Sequence, residues 1–333
     1  MQKQLDFIAI GDIVVDNFIK LKEAEVHCAE GTEECTISMR WGDKIPFKSS
    51  TPISAVGNSP NAAVASARLG LSTGLMVWMG EDRLGDECMD VLVREGIDTS
   101  LVSRSNSVPT NAHYVLSFQA ERTILIKHNE FPYRFPEFPA PSFLYLSSLA
   151  PSAGVIHDAL FEWLPKHPET KLIFQPGTFQ IEEGTEALAP IYKNTYLFVC
   201  NKEEAELILG YKKPQDFPTL LSGIASLGPK IVIITDGPDG AVAFDGSQML
   251  HVPMYPDSRA PIDRTGAGDA FTSTVGIALA LGKPLHEALL WGPVNSMSVV
   301  QALGAQAGLL SRQAIESYLE SAPAEYRVTK YSE

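Results

Sequence analysis

Cysteine is scarce in this 333-residue sequence, which has four (Cys28, Cys35, Cys88 and Cys200) and no Cys-x-x-Cys pair. Isolated cysteines are most often small buried hydrophobic residues, although a metal site beside His27 is conceivable for the first two. A thiol pattern of this kind is typical of a reducing compartment. We therefore expect a cytoplasmic protein whose cysteines fill space in the core.

Long apolar runs and an excess of basic residues are also missing. The longest apolar run, around Val275–Leu281, is far too short to span a bilayer, and Asp6 interrupts any export signal at the N-terminus. Acidic residues outnumber basic ones by 40 to 26, for a formal net charge of −14. This balance argues against binding to nucleic acid or anionic membranes, but it leaves a small anionic substrate open. We expect a soluble protein with neither nucleic acid nor membrane as a partner.

Repeats and low-complexity segments are absent, and short apolar runs alternate with helical patterns. This alternation predicts an α/β fold, with a mostly parallel central sheet and helices on both faces. The predicted strands are residues 7–16, 75–80, 143–148, 171–176, 196–201, 231–237 and 241–245. The predicted helices are residues 61–70, 86–96, 154–165, 202–210, 268–282 and 311–321.

Two regions break the alternation, residues 17–56 and 108–128. Their mixed patterns indicate antiparallel strands with one wet face, so we interpret them as a small sheet inserted into a single domain of residues 1–333, either a lid or a subunit contact. Residues 130–142 form a proline-rich connector. Polar lid residues either close over a substrate or form the wet face of the sheet: Arg122, Lys127 and His128.

The stretch IDRTGAGDAF (262–271) carries the clearest chemical signal. Gly266 and Gly268 precede an apolar helix, so backbone N–H groups at the helix start can bind an anion. A carboxylate beside them, Asp269, suits phosphoryl transfer, in which it takes a proton from the attacking hydroxyl. A Walker loop does not occur, and Phe271 stands where a dinucleotide fingerprint requires its third glycine.

The same stretch closely resembles the signature of the ribokinase-like (PfkB-type) carbohydrate and nucleoside kinases. Further motifs of that family follow its order and cover nearly the whole chain. They are VGNSPNAAVASARLG (56–70), MGEDRLGDECMDVLVREGIDTSLV (79–102), NKEEAELILG (201–210) and TDGPDGAVAF (235–244).

The resemblance implies a β lid over the substrate and a set of roles at the phosphate. Asp269 would be the catalytic base, and the backbone from Gly266 through Ala267 and Gly268 would form an anion hole for the transferred phosphate. Mg²⁺ would bind near Asn201 and Glu204, through water. The resemblance also admits a monovalent cation. From the residues alone, Asn201 and Glu204 suggest only a helix cap and a surface acid.

On the nucleotide side, the resemblance implies a short list of contacts to ATP. Thr235, Gly237 and Gly240 would line the nucleotide phosphates or form a plain turn between two strands. Small residues near the C-terminus would surround adenine or simply pack helices. Arg264 is not part of what the resemblance implies: two residues before the glycines, it would replace the missing lysine and reach a phosphate of ATP or of the substrate, or it would face solvent. The residues are Thr235, Gly237, Gly240, Arg264, Asn295 and Gly304.

On the acceptor side, Asp16 would grip sugar hydroxyls, with Gly57 and Asn61 completing the pocket and Asp12 as a less secure candidate. In isolation Asn61 suggests an N-cap. The chain departs from the family at three places: Val56 replaces the first glycine of a Gly-Gly pair, Gln175-Pro176-Gly177 replaces Asp-Pro-Asn, and no lysine precedes the Asn-x-x-Glu motif.

Together these features predict an ATP- and Mg²⁺-dependent phosphotransferase that acts on a hydroxyl of a sugar, in the manner of a ribokinase or fructokinase. A nucleoside kinase of the adenosine or inosine type, a sugar-phosphate kinase and a non-catalytic sugar- or nucleotide-binding regulator stay open. A sugar-phosphate kinase should need basic groups near Asp16, where only Lys20 and Lys22 stand. The lid also suggests a homodimer.

Overall fold

Strands and helices alternate along most of the chain. The structure, a computed structural model, describes residues 4–28, 35–118, 121–257 and 259–332. Its strands are β1 (Phe7–Ile10), β2 (Val14–Leu21), β3 (Glu25–Cys28), β4 (Cys35–Ser38), β5 (Phe47–Val56), β6 (Thr73–Met76), β7 (Trp78–Gly80), β8 (Ser103–Ser105), β9 (Asn111–Phe118), β10 (Glu121–Leu125), β11 (Phe143–Leu146), β12 (Lys171–Phe174), β13 (Thr195–Asn201), β14 (Ile231–Thr235), β15 (Ala241–Phe244), β16 (Met249–Val252) and β17 (Thr329–Lys330). Its helices are α1 (Asn58–Arg68), α2 (Arg83–Arg94), α3 (Gly154–Trp163), α4 (Thr178–Glu183), α5 (Ala189–Asn194), α6 (Lys202–Leu209), α7 (Phe217–Ser226), α8 (Ala267–Ala280), α9 (Leu285–Val299) and α10 (Arg312–Glu320).

A large, mostly parallel sheet forms the centre, in the order β6-β1-β11-β12-β13-β14-β15-β16-β17. The strands from β6 to β14 pair in parallel, and the last three pair antiparallel. The core consists of two clusters of buried apolar residues, each made of side chains from the central strands and from the helices that flank the sheet. The predicted α/β architecture is confirmed, and it collects the carboxyl ends of the parallel strands at one edge, where ligands bind in such sheets.

A second sheet of four strands, β10-β9-β2-β5, forms the predicted inserted sheet. The prediction of one strand over residues 7–16 is wrong, because the chain leaves the central sheet after Ile10 and enters the second sheet at Val14. The inserted sheet therefore begins three residues before the predicted boundary of 17. In it β2 and β9 run in parallel, with Asp16 directly beside His113.

Four described helices (α4, α5, α7 and α9) were absent from the sequence prediction. Helix α9 has apolar residues on all sides and contains Pro293, so it lacks the one-sided periodicity that marks a surface helix. In the described part of the chain, no helix combines the length and the apolar character needed to cross a lipid bilayer.

The cysteines are not all core residues, as the sequence had suggested. Cys28 and Cys35 form a disulfide, because they lie directly opposite each other on the antiparallel hairpin β3–β4. Cys88 and Cys200 are free and buried. The expectation of space-filling cysteines is therefore wrong for the first pair. Among the described residues, no group of three His, Cys, Asp or Glu side chains is assembled for a metal ion.

Candidate active site

Helix α8 begins at the signature loop, where Gly266 has a backbone φ of 80°. A Cβ at this position would lie 2.3 Å from the Cβ of Ala305, so only glycine fits the turn. The N–H of Ala267 donates to a loop carbonyl at 3.4 Å, whereas those of Gly268 and Asp269 have no acceptor among the described residues. Two backbone donors at a helix start are therefore available to an anion.

A cavity of about 400 Å³ opens on one side of this helix start. Its lining is largely apolar. The structure brings most of the residues predicted to bind nucleotide together here with the glycine-rich loop. The lining includes Thr235, Gly237, Pro238, Gly240, Met254, Arg264, Ala267, Gly268, Phe271, Pro293, Ser296 and Met297.

Two residues predicted to bind nucleotide do not line this cavity. Asn295 is fully buried, donates to the Thr274 hydroxyl at 2.7 Å and accepts from the Leu310 N–H at 2.9 Å, so its amide is used inside the protein. Gly304 donates its N–H to Asp263 Oδ2 at 2.9 Å and supports the signature loop. A role of these two residues at adenine stays a prediction, and the contacts seen here are those of helix and loop packing.

The carboxylate of Asp269 is held by three side-chain amides. Asn58 and Gln175 donate to Oδ1 at 2.8 and 3.0 Å, and Asn61 donates to Oδ2 at 2.8 Å. Removal from water raises the pKa of Asp269, and these three hydrogen bonds oppose that rise. Asp269 is thus oriented and stabilised in its charged form by neutral donors.

Asn61 is not the N-cap that its sequence context suggests in isolation. Helix α1 begins at Asn58 with Gly57 as its cap, so Asn61 lies in the first turn. Its amide reaches Asp269, and its Oδ1 accepts from Gln306 at 3.0 Å. Gly57 has a φ of 124°, and a Cβ there would lie 2.6 Å from the carbonyl oxygen of Asp12.

A second, polar cavity of about 740 Å³ lies on the other side of Asp269. It contains all four residues predicted to bind the acceptor, together with Val56 and the Gln175-Pro176-Gly177 segment in which the chain departs from the family. Residues of the inserted sheet and of the segment after it form its far wall. The lining includes Asp12, Asp16, Val56, Gly57, Asn61, His113, Ile126, His128, Glu130, Gln175, Pro176, Gly177, Phe179, Glu204, Thr265 and Asp269.

Two carboxylate–histidine pairs stand in the polar cavity. His128 Nδ1 lies 3.3 Å from Asp12 Oδ2, and His113 Nδ1 lies 3.5 Å from Asp16 Oδ1. Both carboxylate oxygens, together with His113 Nε2, are buried and have no hydrogen-bond partner of normal geometry among the described residues. Burial raises the pKa of Asp12, and burial together with the Asp263 charge raises the pKa of Asp16 to about 6. Buried polar atoms without partners mark the place where a ligand is expected.

Asn201 and Glu204 form a capping box at the start of α6. Asn201 Oδ1 accepts from the Glu204 N–H at 2.7 Å, and Glu204 Oε2 accepts from the Asn201 N–H at 2.9 Å. Glu204 also lines the polar cavity, and burial, with a smaller effect of the Asp269 charge, raises its pKa. A single carboxylate, that of Glu204, in the polar cavity that also contains Asp269, fits a Mg²⁺ ion that keeps most of its waters and takes few protein ligands.

Asp263 and Asn58 are site residues that the sequence reasoning missed. Asp263 Oδ1 accepts from both the N–H and the hydroxyl of Thr265, at 3.0 and 2.7 Å, and so fixes the loop before Gly266. An Asp two residues before a Thr is a common turn motif, which is the one local signal for Asp263.

Of the three lid residues that the sequence singled out, His128 lines the polar cavity, Arg122 lies 3.9 Å from Asp263, and Lys127 is exposed.

Comparison with known proteins yields consistent matches. A family described as pfkB family carbohydrate kinase matches residues 48–312. The ribokinase of Bacillus subtilis is 25% identical over 273 residues, covering 79% of this chain and 87% of that protein. Two solved structures share the fold, Arabidopsis thaliana ribokinase complexed with ribose and ATP (TM-score 0.79, 20% identity) and the nucleoside kinase of Methanocaldococcus jannaschii (0.78, 19%). Each superposition covers 96% of this chain, and 99% and 100% of the solved chains.

Proposed function

This chain belongs to the pfkB family of carbohydrate kinases, and we propose that it transfers the γ-phosphate of ATP to a hydroxyl of a sugar, with Asp269 as general base. One observation carries the proposal. Ala267 and Gly268 line the apolar cavity, whereas the next residue, Asp269, lines the polar cavity. The start of α8 therefore lies where a nucleotide phosphate on one side would meet a hydroxyl on the other.

The base has the geometry that proton removal requires. A carboxylate offers about four lone-pair sites, and three of those of Asp269 are taken by the amides of Asn58, Asn61 and Gln175. The remaining site would accept the proton of the attacking hydroxyl. Because the three donors hold the carboxylate in one orientation, little reorganisation is needed during the reaction.

The phosphate side rests on backbone donors and on one cation. The free N–H groups of Gly268 and Asp269 would stabilise the negative charge on the transferred phosphate. Arg264, which lines the same cavity, would contact a phosphate of ATP. The apolar walls near Pro238 and Met297 suit the nucleotide base.

Mg²⁺ would be held by Glu204 through water, together with the phosphates of ATP. When bound, the ion neutralises charge on the phosphates. The residues of the chain would orient the two reactants and exclude water between them, the latter through closure of the inserted sheet as a lid. Asn201 would act indirectly, by fixing the position of Glu204 through the capping box.

The acceptor would lie against Asp12 and Asp16. One buried oxygen of each has a histidine nitrogen within 3.5 Å but no well-formed hydrogen bond among the described residues. Carboxylates in such positions accept hydrogen bonds from sugar hydroxyls. A nucleoside is the second candidate, since Phe179 and Ile126 add apolar surface to a cavity of about 740 Å³, and a structural relative is a nucleoside kinase.

The proposal is tested by an ADP-release screen of the purified protein with ATP and Mg²⁺ over pentoses, hexoses and nucleosides. We expect one acceptor class to raise ADP release well above the acceptor-free rate, and chelation of Mg²⁺ to abolish it. A protein that binds ATP and a sugar without releasing ADP above this background would contradict the proposal and indicate a binding protein.

We also propose that the outer face of the inserted sheet pairs with a second copy of the chain. Tyr114 and Leu125 lie directly opposite each other on that face, and they are 48% and 53% exposed. Sedimentation should give a dimer that Leu125→Glu converts to a monomer, and a monomeric starting protein would exclude this arrangement.

A further inference from the structure

The polar cavity has a strongly one-sided charge. Five carboxylates line it, whereas no lysine or arginine does so in the described part of the chain. Of the five, Asp12 is buried and the side chain of Asp16 is 14% exposed, so solvent screens these two carboxylates weakly. The five residues are Asp12, Asp16, Glu130, Glu204 and Asp269.

The two histidines of the cavity do not cancel this charge. Burial, reinforced by the nearby His128 ring, lowers the pKa of His113 to about 4, so the ring is neutral near pH 7. The pKa of Asp16 is raised only to about 6, so its carboxylate is ionised at the same pH. The other histidine, His128, faces a single carboxylate, with its Nδ1 3.3 Å from Asp12 Oδ2.

The basic side chains considered near the polar cavity either lie beside a carboxylate or fall outside the cavity lining. Arg122 forms an ion pair with the carboxylate of Asp263, at 3.9 Å. Lys20 and Lys22 are exposed and lie outside the cavity lining. Among the described residues, no lysine or arginine side chain therefore lines the cavity to pair with a carboxylate or a phosphate of the acceptor.

We infer that this protein selects a neutral polyhydroxyl acceptor and excludes acceptors that bear a carboxylate or a phosphate, with Asp12, Asp16, His113 and His128 as the specificity-determining residues. The inference rests on the proposed function and names its acceptor class. It separates this chain from a sugar-phosphate kinase, which the sequence had left open.

The physical basis is a match of hydrogen-bonding groups. Hydroxyls can donate to the buried oxygens of Asp12 and Asp16 that have no well-formed hydrogen bond among the described residues, and a neutral imidazole such as His113 both donates and accepts. An anionic group would meet like charge in a poorly screened site, which is strongly unfavourable. The hydroxyls of a neutral acceptor thus form hydrogen bonds with the buried carboxylates, whereas an anionic group would be repelled by them.

The test compares pairs of acceptors that share the reacting hydroxyl and differ in charge. Suitable pairs are D-ribose with D-ribonate, D-fructose with D-fructose 1-phosphate, and adenosine with its 3′-monophosphate, since both members of each pair keep the terminal primary hydroxyl free. We expect kcat/KM for the neutral member of the active pair to exceed that of its partner by about 100-fold or more. An Asp16→Asn variant should reduce this ratio at least about tenfold, because it removes repulsion as well as a hydroxyl acceptor, while Asp90→Asn, an exposed change on α2, should leave it intact.

Efficient turnover of an anionic member, equal to or better than its neutral partner, would overturn the inference and leave the kinase proposal standing. If no acceptor of any charge is phosphorylated, the proposed function fails, and calorimetric binding of the same pairs decides the inference by itself. Tighter binding of the neutral members would then support it. Tighter binding of the charged members, or binding of neither, would count against it.

Discussion

The side-chain amide of Gln175 donates a hydrogen bond of 3.0 Å to Oδ1 of Asp269, across 94 residues of sequence. The Tyr145 hydroxyl donates to Gln175 Oε1, so the amide presents its nitrogen to the carboxylate. A neutral donor stabilises the ionised form of Asp269 without adding a charge. The departure from Asp-Pro-Asn at Gln175 thus bears directly on the proposed base.

Gln175→Glu should move the acidic limb of the pH–kcat profile upward by about one pH unit or more. The new carboxylate would face Asp269 at about 3 Å and raise its pKa, so a higher pH would be needed to keep the base ionised. Gln313→Glu, the same change at an exposed position of α10, should leave the profile in place. An unshifted acidic limb in Gln175→Glu would mean that Asp269 is not the titrating base.

Asp269→Asn should lower kcat by about 100-fold or more, the scale of general-base catalysis. ATP affinity should survive, because the Asp269 side chain lies in the polar cavity and only its backbone N–H serves the phosphate side. ADP release and calorimetry with ATP measure the two effects separately, with Asp90→Asn as the control. Near-normal turnover by the mutant would remove Asp269 from its proposed role.

The helix start at Gly266–Asp269 could be predicted because its glycines, its carboxylate and the apolar run after it are adjacent in sequence. Asn58 could not, since its contact with Asp269 spans 211 residues and depends on how α1 packs against α8. His113 was missed for a similar reason. It reaches Asp16 only because β2 and β9 pair in parallel, a register that periodicity does not specify. Alternation of strands and helices predicted the fold class, but short helices, and mostly buried ones such as α9, leave no periodic signal.

Arg264→Ala should raise the KM for ATP about tenfold, with a smaller effect on kcat. The side chain lines the apolar cavity and is exposed, so it would contribute one charge-assisted contact to a phosphate. Arg94→Ala, at the exposed end of α2, removes the same charge elsewhere and should change neither constant. An unchanged KM for ATP in Arg264→Ala would assign Arg264 to a solvent-facing turn.

Asp16→Asn should stabilise the protein at neutral pH while weakening acceptor binding. Because burial raises the pKa of Asp16 to about 6, its contribution to stability is full below about pH 4 and is lost as the pH rises through 6. The amide should therefore increase the free energy of unfolding by about 1–3 kcal/mol at pH 8 and not at pH 4. Urea unfolding at the two pH values checks this, with Asp90→Asn as the control, and equal effects at both would contradict the burial of an ionised Asp16.

The anion-hole role of the loop is tested by two glycines that differ in their surroundings. A Cβ at Gly268 would meet no described atom within 4 Å apart from its chain neighbours and the nearby backbone of its own helix, whereas a Cβ at Gly266 would lie 2.3 Å from Ala305 and would sit on a backbone with φ near 80°. Gly266→Ala should therefore lower the free energy of unfolding by about 1–3 kcal/mol.

Gly268→Ala should leave stability unchanged or slightly improved, as expected for alanine in a helix. Its methyl group would nevertheless project where the loop lines the apolar cavity, so the KM for ATP should rise and kcat should fall. Thermal unfolding and ADP release separate the two variants. If Gly268→Ala retains full activity, no phosphate approaches the backbone at this position, and the anion hole would have to be assigned elsewhere along the loop.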